Sequence, residues 1–306
     1  MVLDEASWIN FKEVTLSNGS STQYSGVVKF IGDDVHHIKF ENCDIVNNYA
    51  GTSNNGSLIF SDEVNTDGLL IKNCKLIGGS NAVRLLGKGS RPSDGMTFES
   101  NEFTNQFISA LDITSASNLS ILGNAITSNS TYRSAIAIYV EKTRDDVTIM
   151  NNVLSGMGDW PMGGVYITES KGNRNTDRIM VNNVFNIGDT ASTVDFINVS
   201  IIESEFWNLA HNTIVVQGKS KEAIGLMVDG GTGNEILNNI VSIFGSGQVI
   251  NYDQLGSVAV SEGNSFYTET GADFGSYNND AIVRCLAAVS RHDRPLFLKA
   301  AYNGPA

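Results

Sequence analysis

Near the middle of the chain, charged and aromatic residues fall at one phase of a recurring pattern. Arg84 lies between Val83 and Leu85, Asp112 between Leu111 and Ile113, Tyr139 between Ile138 and Val140, and Tyr166 between Val165 and Ile167. Residues two apart in a strand share a face. Turning the aliphatic pairs inward therefore turns Arg84, Asp112, Tyr139 and Tyr166 outward on successive repeats. The segments that follow carry Lys88 and Arg91, then Glu141, Lys142, Arg144, Asp145 and Asp146, then Glu169 and Lys171. Basic, acidic and aromatic groups converge nowhere else outside the C-terminal tail.

Such a surface suits a saccharide: tyrosine rings offer apolar faces to sugar rings, and charged groups hydrogen-bond to hydroxyls or to substrate carboxylates. For β-elimination of a uronic acid, Lys142 or Arg144 is the candidate base and Arg84 the clamp on the substrate carboxylate. Tyr139 and Tyr166 are further candidates, and Glu141 with Asp145 are candidate Ca²⁺ ligands. For glycoside hydrolysis, Asp112 with Glu169 or Glu141 would form the acid and base pair. Purely structural roles compete with these. Arg84 over Asp112 also reads as a surface ion pair, Tyr139 over Tyr166 as a stack that stiffens a sheet, and Glu141 to Asp146 as a solvated turn. His211 reads as structural, and Asp159-Trp160-Pro161 reads as a longer turn, either a sugar platform or loop packing.

The elements that position these residues come from a repeat. Alternating apolar residues followed by Asn recur as Ile38-Lys39-Phe40-Glu41-Asn42-Cys43, Leu70-Ile71-Lys72-Asn73-Cys74 and Met96-Thr97-Phe98-Glu99-Ser100-Asn101. The pattern continues to Asn124, Asn152, Asn183, Asn212, Asn239 and Asn264, at steps of 23 to 31 residues. A weaker copy, Ile9 to Val14, has Glu13 in the Asn place. Strands at this interval with no helical pattern between them are not β-α-β units, and the Leu spacing of a leucine-rich repeat is absent. The remaining solution winds the chain once per repeat, each strand about 4.8 Å above its predecessor. Stacked Asn amides then hydrogen-bond along the axis, a polar row that is stable when continuous. Cys43 and Cys74 should stack on neighbouring coils as buried thiols, since parallel side-chain vectors do not suit a disulfide.

This hydrophobic-x-hydrophobic-x-Asn/Gly-Asn-x-hydrophobic pattern, over residues 8 to about 268, resembles the right-handed parallel β-helix repeats of pectate-lyase-like proteins. The resemblance implies an all-β solenoid of about ten coils, an extracellular or cell-envelope location and a polysaccharide partner. That superfamily includes polysaccharide lyases, glycosidases, epimerases, phage tailspikes and adhesins, so a non-catalytic structural or adhesive rod is the alternative. In the alginate and chondroitin lyase group a Lys and an Arg-His-Gly segment lie on neighbouring coils. Glu169-Ser170-Lys171-Gly172-Asn173 is similar to the first; the second is missing, with Val194-Asp195-Phe196-Ile197-Asn198 in the following coil.

Composition agrees and narrows the partners. Charged residues make up 17%, with 30 Gly and 4 Pro, a bias toward short strands and tight turns. A net charge of -13 without any run of Lys or Arg argues against nucleic acid. Three cysteines are too few for a disulfide framework, and no spacing suggests zinc. Nowhere do 18 uninterrupted apolar residues predict a membrane span, and Met1-Val2-Leu3-Asp4-Glu5 lacks the features of a signal peptide. The repeat sets no oligomeric state. The rod is expected over residues 1–280. The basic tail, 281–306, reads as a short C-terminal cap helix or as sequence foreign to the rod, and the abrupt first coil reads as a rod lacking its N-terminal cap.

Overall fold

The computed structural model describes residues 1–156, 163–188, 195, 197–254, 256–268, 273–277 and 280–281. Period-2 alternation of Val, Ile, Leu and Phe with polar residues gives short strands, which stack coil on coil into three sheets, parallel except for the antiparallel last pair of the first, Asp273–Tyr277 with Asp280–Ala281. The first sheet has twelve strands and includes Ile59–Asp62, Asn81–Leu86, Ser109–Thr114, Ile136–Glu141, Gly163–Thr168 and Ile197–Ile202. The second has eleven, among them Thr97–Glu99, Ala116–Leu122, Arg144–Met150, Arg178–Val181, Trp207–Ala210 and Asn234–Leu237. The third has ten, from Thr15–Asn18 to Ser265–Thr268. Ten stacked coils with nine steps between them make a rod about 43 Å long.

The core lies between the sheets, in columns one residue per coil. In the first sheet Val83, Leu111, Ile138, Val165, Val199 and Leu226 stack in register. In the second, Phe98, Ile121, Ile149, Met180, Leu209 and Ile236 do so. All are buried. Each contributes about 1.5–3 kcal/mol of apolar burial, set against backbone ordering.

Between the second and third sheets the chain bends through two residues. The first is left-handed in every coil: Glu13, Asn42, Asn73, Ser100, Asn151, Asn182, His211 and Asn238 at φ 53–59°, with Gly123 and Gly263 completing the column. Asn is the side chain that best tolerates this conformation. The second points inward and forms the ladder. Asn101, Asn124, Asn152, Asn183, Asn212 and Asn239 each donate Nδ2 to Oδ1 of the next member, ending at Asn264, at 2.9–3.0 Å. Every accepting Oδ1 also takes a main-chain N–H of the preceding member.

Asn42 and Asn73 are therefore bend residues and not ladder members, a correction to the sequence reading. Cys43 and Cys74 hold the ladder positions in their coils. Cys43 N–H donates to Cys74 Sγ at 3.3 Å, and Cys74 N–H donates to Asn101 Oδ1 at 2.9 Å. Both thiols are free and buried, as expected. Burial pushes the Cys74 thiol up to about 11. The only helix among the described residues is the 3₁₀ turn Asn54–Gly56. The expected cap helix within 281–306 and the Asp159-Trp160-Pro161 turn lie outside the described residues, apart from Ala281.

Candidate functional site

Parallel pairing places Arg84, Asp112, Tyr139 and Tyr166 opposite one another on four successive strands of the first sheet. The row extends upward through Phe60 and Lys29 and downward through Ser200, Met227 and Asn251. The sequence reading stopped at Arg84. Continuing the same register backward finds Phe60, with Lys29 Nζ 5.7 Å from the ring centroid. Tyr139 and Tyr166 stack with centroids 5.9 Å apart and planes 15° from parallel.

The charged members of the row engage one another. Arg84 donates Nη1 to Asp112 Oδ2 at 2.6 Å, with side chains 21% and 11% exposed. Burial pushes the Asp112 carboxyl above the usual range; Arg84 pulls it down and the Glu141 charge adds to the rise. Glu141, two residues past Tyr139 on the same face, accepts from the Tyr139 hydroxyl at 3.3 Å and pairs with Lys142 Nζ at 2.7 Å. Lys142 and Glu169 are left-handed residues where consecutive strands end, at φ 53° and 50°, and their charges lie 3.9 Å apart.

These environments decide what the row can do. Burial first, then Glu141, pushes the Tyr139 phenol up to about 12. The bond to Glu141, its charge and that of Glu169 raise Lys142 above its ordinary value. Both groups hold their protons, which is the wrong direction for a general base working near neutrality. Arg84 is already engaged by Asp112.

Arg144 and Asp145 fall elsewhere. They open the strand Arg144–Met150 of the second sheet, past the turn, so the structure does not bring them into the row. Glu141 and Asp145 thus sit on different sheets, and no group of three or more His, Cys, Asp or Glu side chains converges as a metal site among the described residues. Lys88 and Arg91 reach back over the preceding coils. Lys88 pairs with Asp33 at 2.6 Å, and Arg91 with Asp34 at 3.1 Å and with Asp67.

A family model described as "Right handed beta helix region" matches residues 57–239. No curated protein matches the sequence. Among solved structures, the Streptococcus pneumoniae surface protein and adhesin PfbA aligns at 12% identity over 89% of this chain and 78% of its own, with a TM-score of 0.43. The Agl-KA catalytic domain aligns at 9% identity over 88% of this chain and 62% of its own, with a TM-score of 0.38.

Proposed function

We propose that this chain, which belongs to the right-handed β-helix family, uses the outward row of its first sheet to bind an extended, uncharged polysaccharide. The observation that carries this reading is the row itself. Two near-parallel tyrosine rings are flanked by cations and carboxylates that neutralise one another. Tyrosine faces cover the apolar faces of sugar rings at small entropic cost. A uronate polymer would need free cations along the row; Arg84 and Lys142 are both paired with carboxylates, and Lys29, at one end, lies over the Phe60 ring. The chain's net charge of -13 repels polyanions further. The reading places the protein outside the cell or in its envelope, as the resemblance to pectate-lyase-like repeats implies.

Hydrolysis is the second reading: Asp112 and Glu141 are carboxylates on one face of the first sheet, close enough for the Glu141 charge to act on Asp112. Both readings are tested by titrating neutral and acidic oligosaccharides calorimetrically and assaying reducing ends. Binding to a neutral class, weakened at least tenfold by Tyr139→Ala or Tyr166→Ala, supports the binding surface. Reducing ends that vanish in Asp112→Asn support hydrolysis. Silence on every glycan, or binding confined to polyuronates, overturns the proposal in favour of a structural rod.

A further inference from the structure

On the outer face of the second sheet, away from the row, a cleft of about 470 Å³ opens beside the segment that leads from the first sheet into Arg178–Val181. It lies within the size range of small-ligand sites. Asn173, Arg174, Thr176 and Asp177 form its wall, and Ile179, Phe206, Asn208, Gly233 and Glu235 are among the residues lining the rest.

The wall is built, not draped. Arg178 is 1% exposed and points into the corner of the core, where its guanidinium donates to the Thr143 carbonyl at 3.1 Å and to the Lys171 carbonyl. Burial lowers its pKa to about 10, and no carboxylate pairs with it directly among the described residues. Asn173 and Thr176 close the turn, with Thr176 Oγ1 donating to the Asn173 carbonyl at 2.7 Å. The Asp177 N–H donates to Asp146 Oδ1 at 2.8 Å, and Lys171 pairs with Glu205 at 3.4 Å.

Phe206 forms part of the floor. It is left-handed at φ 56°, a conformation that bulky residues rarely adopt. Its ring lies against Gly233 of the next coil, where an added Cβ would stand 2.5 Å from Cδ1. The glycine is what lets the ring lie there.

The polar groups contrast with those of the row. Among the described residues the side chains of Arg174, Asp177, Asn208 and Glu235 make no hydrogen bond or ion pair, and Asn208 Oδ1 is a buried acceptor without a donor. An aromatic and aliphatic surface rimmed by two carboxylates, an amide and a guanidinium matches the alternating apolar face and donor-acceptor hydroxyls of a sugar ring.

We propose that this cleft takes one neutral pyranose unit, a carbohydrate contact separate from the row on the first sheet. It does not depend on that row binding anything. The test titrates methyl glycosides of glucose, galactose, mannose and N-acetylglucosamine into the full chain, followed by saturation-transfer NMR. Saturable binding of one glycoside is expected. Glu235→Gln and Asn208→Ala should each weaken it at least tenfold with an unchanged melting temperature, and Tyr139→Ala should leave it unaltered. The proposal is overturned if no glycoside binds or if binding survives both cleft variants. Selective loss on Tyr139→Ala would also overturn it, since the sugar would then sit on the first sheet. If the cleft binds and longer glycans ignore the row, only the reading of the first sheet fails.

Discussion

The Arg84–Asp112 pair joins opposed residues on adjacent strands and is mostly withdrawn from water. Removing one partner of such a pair leaves an uncompensated charge, at a cost of about 2–4 kcal/mol for a pair that keeps some exposure. Arg84→Ala should therefore destabilise more than Arg84→Ala combined with Asp112→Asn. The pH dependence follows from the direction of the Asp112 shift. A carboxyl held above its ordinary 3.8 stabilises the fold while protonated, and that contribution is lost as pH rises from 3.8 through the folded value. Losing Arg84 raises the folded value further. The melting-temperature deficit of Arg84→Ala should thus shrink on acidification from neutral to about pH 4; a deficit constant across that range would refute the assignment. The partners along the row were legible from period-2 alternation. Their mutual engagement was not, because the left-handed bend that brings Lys142 within 2.7 Å of Glu141 is not marked by a glycine or asparagine.

At the scale of the repeat, the ladder shows where sequence reading succeeds and where it slips by one residue. Asn fills two adjacent columns for different reasons: the bend tolerates its backbone, and the ladder needs its amide. The doublets Asn151-Asn152, Asn182-Asn183 and Asn238-Asn239 occupy both columns, so a lone Asn42 or Asn73 could be assigned to either. Cysteine settles it in space, since a thiol can accept the N–H that an amide oxygen would take. Two outcomes follow for stability. Asn152→Ala strips Asn124 N–H and Nδ2 of their common acceptor and removes the Nδ2 bond to the Ile121 carbonyl. With about 1–3 kcal/mol for each buried orphan, the loss should be about 4 kcal/mol or more by urea denaturation. Cys74→Asn should instead hold or raise stability, because Asn101 Oδ1 and the Phe40 carbonyl already stand where the new Nδ2 would donate. A loss above about 1 kcal/mol would mean that the thiols are packed for their own shape.

Across the whole rod, each coil touches its neighbours in register, so a surface built on one coil is repeated along the axis until the residues change. From Phe60 to Tyr166 the outward row crosses four inter-coil steps, about 19 Å, before giving way to Ser200 and Met227. A glycan lying along the axis would gain contacts with every added sugar until it covers that length. A glycan crossing the strands would stop gaining after a unit or two. Calorimetry on an oligosaccharide ladder separates the two, and affinity that climbs and then levels off is expected for the axial arrangement. Salt adds an independent arm. An uncharged ligand on a row of internally paired charges should change its affinity less than about twofold between low and physiological ionic strength, because no net charge is brought together. A polyuronate approaching a chain of net charge -13 should bind better as salt rises. Length dependence with salt independence would establish an axial neutral ligand; affinity that strengthens with salt would return the row to acidic polysaccharides, with Lys29 over the Phe60 ring as the cation left without a carboxylate.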